Sequence, residues 1–164
     1  MDNSAALQAF IDAQPNPSHA LVVVTIQEPV DVTVDDPTML VKASGRAQVT
    51  VRGRCIVSVG GHARVSAYGS VVVQARDRAE AVLHDACTGQ GEGRARVRLH
   101  ERASVTVGGE VTAWADGGAT VVARGKATVF AHGSSNVKAS ESAVVHACDT
   151  SRVTALGDAV VVLT

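Results

Sequence analysis

The feature that most constrains the fold is an eight-residue repeat, which runs without insertion or deletion from Gly45 to Thr164 and gives fifteen octads. The first position is Gly in ten octads and Asp or Glu in the other five, and the fifth position is Val in twelve. The third and seventh positions are mostly Ala, while the even-numbered positions are mainly polar. Side chains two residues apart share one face of a strand, and Gly permits the sharp bend between strands. Each octad is therefore predicted to be one short strand followed by one corner.

The repeat excludes helices, because its apolar period is two residues and because β-branched residues and Gly recur throughout. Ala, Val and Ala pointing inward leave room for little more than methyl groups, so two facing sheets must enclose a narrow, dry interior. The predicted fold class is all-β, a parallel β-solenoid. Cys55 and Cys87 occupy third positions, where small buried hydrophobic residues are expected.

The placement of ring-bearing side chains indicates how many octads form one turn. Every histidine and aromatic residue of the repeat falls in an odd-numbered octad, counted from Gly45. These residues are His62, Tyr68, His84, His100, Trp114, Phe130, His132 and His146. Such alternation favours a coil of sixteen residues with two strands per turn. Strands sixteen residues apart then stack directly, about 4.8 Å from one another.

The sixth octad, DACTGQGE, departs from the pattern because Gly89 and Gly91 stand at interior positions. Loss of two core side chains is expected to loosen this strand or to produce a bulge. The GQGEG string has the look of a phosphate-binding loop, but that motif requires a following helix, and strand repeats follow here.

The N-terminal part is predicted to differ from the repeat, and we divide the chain into residues 1–19, a capping helix and turn, and residues 20–164, the solenoid. Residues 4–14 have the pattern of a short helix that places Leu7, Phe10 and Ile11 on one face and is stopped by Pro15. Such a helix would cover the open strand edge. Residues 20–44 are expected to form the first strands. Their alternation is one residue out of step with the octads, which predicts an irregular corner near Asp36 and Pro37.

The last octad keeps the repeat to its end and has no sequence signal of a cap. Val160 and Val162 also place apolar groups at outward positions. We therefore expect a homodimer or a longer polymer that forms through the last strand, with a dimer joined C-terminus to C-terminus ranked first. The residues expected to associate are Ala159, Val160, Val161, Val162 and Leu163.

The run of G-x-A-x-V-x-A octads resembles bacterial octad-repeat β-solenoids over roughly three quarters of the chain. The sixteen-residue coil is similar to that of ice-nucleation proteins, although Thr112, Thr120 and Thr128 are scattered over both faces instead of forming their Thr-x-Thr rows. The Val-rich rod resembles bactofilins, cytoskeletal solenoids that polymerise end to end. The octad is also similar to the trimeric needles of contractile phage tails and type VI secretion spikes. These resemblances imply a structural role.

Composition excludes several functions. A nucleic-acid partner is not expected, because 15 Lys and Arg against 16 Asp and Glu give no basic footprint. No apolar run is long enough to span a membrane, and the sequence begins without the pattern of a signal peptide, so a cytoplasmic location is expected. Three widely spaced cysteines argue against a disulfide framework and are expected to be reduced.

Enzyme activity is not expected, because no loop is inserted between the octads and no catalytic arrangement rises above chance. No cofactor is expected either. One column of side chains recurs every sixteen residues at the eighth position of odd octads and could share a transition metal. Its candidate ligands are His84, His100, Asp116, His132 and Cys148. The alternative for this column is a solvated polar corner.

Outward aromatic residues on the odd octads, Tyr68, Trp114 and Phe130, are candidates for a contact surface. Simple cross-strand stacking is an equal alternative for Trp114 and Phe130. The leading hypothesis is a non-catalytic scaffold that associates with itself and presents its faces to a partner. The alternatives are a solenoid that binds a ligand, either a metal or ice, and a component of a trimeric spike.

Overall fold

The structure, a computed structural model, describes residues 3–13, 23–26 and 30–164. It is an all-β parallel β-solenoid of about 8 turns with one short N-terminal helix, α1 (Asn3–Asp12). The strands are β1 (Val23–Ile26), β2 (Val30–Ala43), β3 (Gln48–Val59), β4 (Arg64–Gly69), β5 (Val72–Ala75), β6 (Glu80–Leu83), β7 (Thr88–Gly91), β8 (Arg96–Leu99), β9 (Ser104–Val107), β10 (Thr112–Ala115), β11 (Thr120–Ala123), β12 (Thr128–Ala131), β13 (Asn136–Ala139), β14 (Val144–Ala147), β15 (Arg152–Ala155) and β16 (Val160–Leu163).

Strands sixteen residues apart stack in parallel. In β10, for example, Trp114 lies between Arg98 of β8 and Phe130 of β12. The even-numbered strands β4 to β16 stack on one side of the solenoid and the odd-numbered strands β5 to β15 on the other, while β3 bends around a corner and belongs to both. The predicted coil of sixteen residues with two strands is confirmed. We call the outward side chains of the even-numbered strands β4 to β16 the odd face, because odd-numbered octads form these strands. The outward side chains of the odd-numbered strands β5 to β15 form the even face.

The interior is built from the third, fifth and seventh positions of the octads. Val121 at a fifth position and Ala123 at a seventh are both 0% exposed. Cys55 and Cys87 are buried as expected. Burial raises the pKa of the Cys55 thiol to about 12 and also raises the pKa of Cys87. Because the thiolate is the reactive form of cysteine, both side chains serve as core residues.

The corners depend on a left-handed backbone conformation at the first position of every octad. Ten of these residues are Gly, and the five others have φ between 54° and 60°. All five are acidic, and each carboxylate accepts a hydrogen bond from the backbone N–H of the corner residue sixteen positions earlier, at 2.7 to 3.1 Å. They are Asp77, Asp85, Glu101, Glu141 and Asp149. A charge-assisted hydrogen bond thus offsets the cost of left-handed backbone where Gly is absent.

The sixth octad forms a regular strand, and the prediction of a bulge there is wrong. β7 pairs with β5 and with β9 in unbroken sixteen-residue register. A Cβ atom added at Gly89 would lie 3.2 Å from Cδ1 of Leu83, and one added at Gly91 would lie 3.3 Å from Cγ2 of Val97. Larger residues of the opposite sheet therefore fill the space that the two glycines leave, which keeps the interior packed.

The helix α1 covers a strand edge at the N-terminal end. The side-chain amide of Gln8 donates to the carbonyl of Thr33 in β2 at 3.0 Å and accepts from the N–H of Thr33 at 2.8 Å. Leu7 packs against the core, whereas Phe10, predicted to share its face, is 50% exposed. The amide of Gln8 thus occupies the N–H and the carbonyl of Thr33, which a further strand would use.

The helix was expected over residues 4–14, and the structure places it over Asn3–Asp12. Pro15, the predicted stop, lies outside the described residues, as does the side chain of Ile11. The irregular corner near Asp36 and Pro37 is confirmed: the pairing of β2 with β3 shifts between Asp35 and Leu40.

Candidate functional site

The eighth positions of odd octads form one outward column at a corner of the solenoid, which we call the histidine column. Its members are Tyr68, His84, His100, Asp116, His132 and Cys148. The column continues the backbone register, because the strands that precede these residues stack at sixteen-residue intervals. The structure therefore places the five candidate metal ligands in one line, as the sequence predicted.

The N-terminal half of the histidine column is a continuous stack. The guanidinium of Arg52 lies 5.3 Å from the ring centre of Tyr68. Tyr68 stacks on His84 with ring centroids 4.4 Å apart, and His84 stacks on His100 at 4.9 Å. Nδ1 of His100 then lies 3.7 Å from a carboxylate oxygen of Asp116. Cation, aromatic ring, two imidazoles and carboxylate thus follow one another along the rod.

The C-terminal half of the column is chemically different. His132 lies one coil beyond Asp116, and its backbone N–H donates to the carbonyl of Ala115. Sγ of Cys148 lies 2.8 Å from Oγ1 of Thr164. This places the one partly exposed cysteine of the three beside the last coil.

The imidazole planes of His84 and His100 are nearly parallel, with an interplanar angle of 16°. Metal sites in proteins usually have ligands that converge from several directions. Among residues 3–13, 23–26 and 30–164, no three or more His, Cys, Asp or Glu side chains are grouped so that they could hold a metal ion. Metal binding by the column therefore stays a prediction of the sequence.

Protonation of His84 is opposed by its surroundings. Burial lowers the pKa of His84, and the neighbouring imidazole of His100 lowers it further, while Glu101 and Asp85 act in the opposite direction. The neutral form of His84 is therefore favoured in the folded chain.

A second ladder lies on the odd face. The guanidinium of Arg98 sits 5.4 Å from the ring centre of Trp114. Trp114 stacks on Phe130 at 5.8 Å, and Phe130 stacks on His146 at 4.9 Å. Because the ring faces are taken by neighbours in the ladder, the two aromatic residues present mainly their edges outward. Cross-strand stacking of Trp114 and Phe130 is thus part of this surface.

Sequence reasoning had named Trp114 and Phe130 but not Arg98 or His146 as members of this ladder. The signal was available, because both lie sixteen residues from a named member. Tyr68, the third predicted contact residue, belongs to the histidine column and does not join the ladder. A contact role for these three residues stays a prediction of the sequence.

Ion pairs line the odd face beside the aromatic ladder. The guanidinium of Arg64 lies 2.8 Å from Glu80, and Arg96 lies 3.6 Å from the other oxygen of the same carboxylate. A shallow groove runs between this row and the ladder formed by Arg98, Trp114 and Phe130. The two arginine side chains are 63% and 66% exposed and Glu80 is 35% exposed, so each pair contributes little to stability.

The last coil exposes residues that are buried everywhere else in the repeat. One coil earlier, Val145 is 0% exposed and Ala147 is 5% exposed. Their partners in β16, Val161 and Leu163, are 37% and 82% exposed. The outward residues Val160 and Val162 are also exposed, so that this end presents a continuous apolar surface. Exposed apolar patches mark interaction sites in some proteins and aggregation-prone edges in others.

No helix within residues 3–13, 23–26 and 30–164 is long and apolar enough to cross a membrane. Comparisons of the chain with protein-family models, with curated proteins and with solved structures find no match. Function must therefore be argued from the geometry of the chain itself.

Proposed function

We propose that this chain is a non-catalytic structural β-solenoid that associates with itself through its C-terminal coil and presents its two faces for interaction. The observation that carries the proposal is the contrast between the ends. Interior residues of the first coil, such as Val32 and Val34, are 1% and 0% exposed, whereas Leu163 in the last coil is 82% exposed. Burial of an exposed Leu or Val side chain is worth about 1.5 to 3 kcal/mol, which favours covering this end.

Backbone groups add to the apolar contact. The N–H groups of Val160 and Thr164 donate to carbonyls of the preceding coil. Because N–H groups alternate in direction along a strand, those of Val161 and Leu163 face the open edge. An open edge with apolar side chains invites pairing with another strand. Two copies that meet C-terminus to C-terminus about a two-fold axis close as a dimer and protect both edges.

The regular octads support a scaffold rather than an enzyme. From β5 to β16 a new strand begins every eight residues, which leaves only short corners between strands. Binding and catalytic residues are commonly carried on longer loops held by a rigid framework. Stability along such a rod comes from the stacking of neighbouring coils, as in other repeat proteins.

The proposal is tested by the mass of the particle in solution. We expect the wild-type chain to have at least twice the monomer mass in light scattering. Replacement of Val160 and Val162 by Lys should place charge beside the junction and release folded monomers. A matched control is Val72→Lys, an outward valine in the middle of the rod that is 40% exposed. This control should keep the wild-type mass.

A wild-type chain that stays monomeric at high concentration would overturn the proposal. So would a Val160→Lys, Val162→Lys variant that keeps the mass of the wild type, because the contact would then lie elsewhere. Circular dichroism of each variant shows whether the solenoid is still folded.

A further inference from the structure

The two ends of the solenoid carry the same strand order and the same register. The last coil consists of β15, whose outward residues belong to the even face, followed by β16 of the odd face. At the N-terminal end, β1 stacks on the second half of β2, which in turn stacks on the even-face half of β3. The first half of β2 stacks on the odd-face half of β3. An even-face strand followed by an odd-face strand is therefore found at both ends.

The interior columns also coincide. Val30 and Val32 pair with Val49 and Val51 of β3, which occupy fifth and seventh positions. Val161 and Leu163 occupy the fifth and seventh positions of the last octad. A second copy placed beyond the C-terminal coil would thus continue the rod with Val30 on Val161 and Val32 on Leu163. The sheets and the apolar core would run on without a change of register.

Within the described residues, those that block this continuation on the odd face belong to α1. In later coils the eighth-position N–H donates to the seventh-position carbonyl of the coil before, as His84 does to Ala67 at 3.0 Å. Thr33 pairs with Arg52 and so occupies an eighth position. Its N–H is taken by Oε1 of Gln8 at 2.8 Å. In a continued rod the same N–H would donate to the carbonyl of Leu163 of a second copy.

The helix α1 is short and leaves much of its surface exposed. The helix has 10 residues, which is shorter than the length at which isolated helices become stable in water. Leu7 packs against the core as a partly buried side chain, while Phe10 is half exposed. The described contacts of α1 with β2 include the two hydrogen bonds of Gln8 with Thr33, and a strand that offers a full hydrogen-bond ladder competes with them.

We infer that α1 is an autoinhibitory cap, and that the strand edge beneath it is a docking surface for the C-terminal coil of a second copy. With α1 docked, association stops at the contact between two C-terminal coils. With α1 displaced, copies add head to tail and form a continuous parallel rod. This inference rests on the proposed self-association through the C-terminal coil and adds its second partner surface and its control.

The test uses the full chain with the helix released. Leu7→Asp combined with Gln8→Ala removes the apolar contact and both hydrogen bonds to Thr33. We expect this variant to form linear polymers whose length grows with concentration, seen by electron microscopy and by sedimentation velocity. Ala9→Asp is the matched control, since it adds the same charge at an exposed position of α1 and should leave the wild-type mass unchanged. Gln8→Ala alone is a milder variant and should give shorter polymers.

A further variant adds Val160→Lys and Val162→Lys to the released helix, and we expect it to lose the polymers. The inference is overturned if the released variants have the mass distribution of the wild type, or if the wild type already forms long rods. It is also overturned if polymers survive the two lysines. A wild-type dimer that does not lengthen when α1 is released refutes the cap but leaves the proposed function standing. Polymers from the released variant with a monomeric wild type support the cap and refute the dimer.

Discussion

Val121 provides a direct probe of how the solenoid is held together. It lies at the fifth position of its octad in β11, is 0% exposed, and stacks between Val105 and Val137 of the neighbouring coils. The opposite sheet is close, because the interior is lined mainly by Val and Ala. Replacement by Asp would place a carboxyl group in a space that holds methyl groups and little else.

Two terms set the size of the effect. Loss of the buried valine side chain costs about 1.5 to 3 kcal/mol. Burial of a polar group without a partner costs about 1 to 3 kcal/mol more, even when the carboxyl takes up a proton to stay neutral. The free energy of unfolding should therefore fall by about 2.5 to 6 kcal/mol. For a chain of this size that corresponds to a lower Tm by roughly 5 to 24 °C.

Thermal unfolding followed by circular dichroism measures this change. Val122→Asp is the control, because the adjacent residue points outward on the even face, where water can solvate the charge. The control should stay within about 0.5 kcal/mol of the wild type. Equal melting temperatures for the two variants would refute the assignment of fifth positions to the interior.

Three further changes test other parts of the structure. Ser135→Ala should raise the free energy of unfolding by about 1 kcal/mol in urea titrations. The reason is that the Ser135 hydroxyl is buried without a hydrogen-bond partner among the described residues. A loss of stability would indicate that the hydroxyl is bonded. Asp85→Ala should lower the free energy of unfolding by about 1 to 2 kcal/mol in the same assay, because it keeps a side chain in left-handed backbone and loses the hydrogen bond from Gly69 N–H. Asp85→Gly should lower it less, because Gly adopts this backbone freely. The reverse order would disprove the role of the corner carboxylates. The pKa of His84 is lowered from its ordinary value of 6.5, so below about pH 6.5 the unfolded chain binds more protons and stability should fall, while above it this contribution is constant. His84→Gln should reduce the loss of unfolding free energy between pH 7 and pH 5, measured by denaturant unfolding at each pH. An unchanged pH dependence would assign that loss to other groups.

Much of the fold follows from the sequence because a strict repeat makes each residue's environment the same from coil to coil. His and aromatic residues of the repeat, such as His84 and Trp114, occur only in odd octads, and this placement predicted the sixteen-residue coil. The third-position cysteines Cys55 and Cys87 are buried as expected. The irregular corner of β2 followed from a break in alternation. Each of these inferences needed only local periodicity.

The errors and omissions arise where contacts are not local. The bulge expected at Gly89 does not form, because Leu83 reaches into the vacated space from the opposite sheet. Leu83 stands at a seventh position, where Ala is usual, and this difference was visible in the sequence. The repeat alone does not show which residue Leu83 contacts across the interior. The pairing of Gln8 with Thr33 is likewise a contact between distant segments.

The candidate site was only partly predictable for the same reason. The histidine column follows from the sixteen-residue spacing, but the stacking of imidazole planes depends on side-chain rotamers. The role of the corner acids was missed, although a visible pattern indicated it. Every non-Gly first position of the octads holds Asp or Glu, as at Asp85 and Glu101. A hydrogen bond to a backbone N–H sixteen residues earlier explains that choice.

Hydrogen exchange at the last strand, followed by NMR at several protein concentrations, tests the central claim most directly. The N–H groups of Val160 and Thr164 are bonded within the chain and should exchange slowly at every concentration. Those of Val161 and Leu163 face the open edge, so self-association through this coil should slow their exchange as the concentration rises. Fast exchange of Val161 and Leu163 that does not depend on concentration would contradict the account.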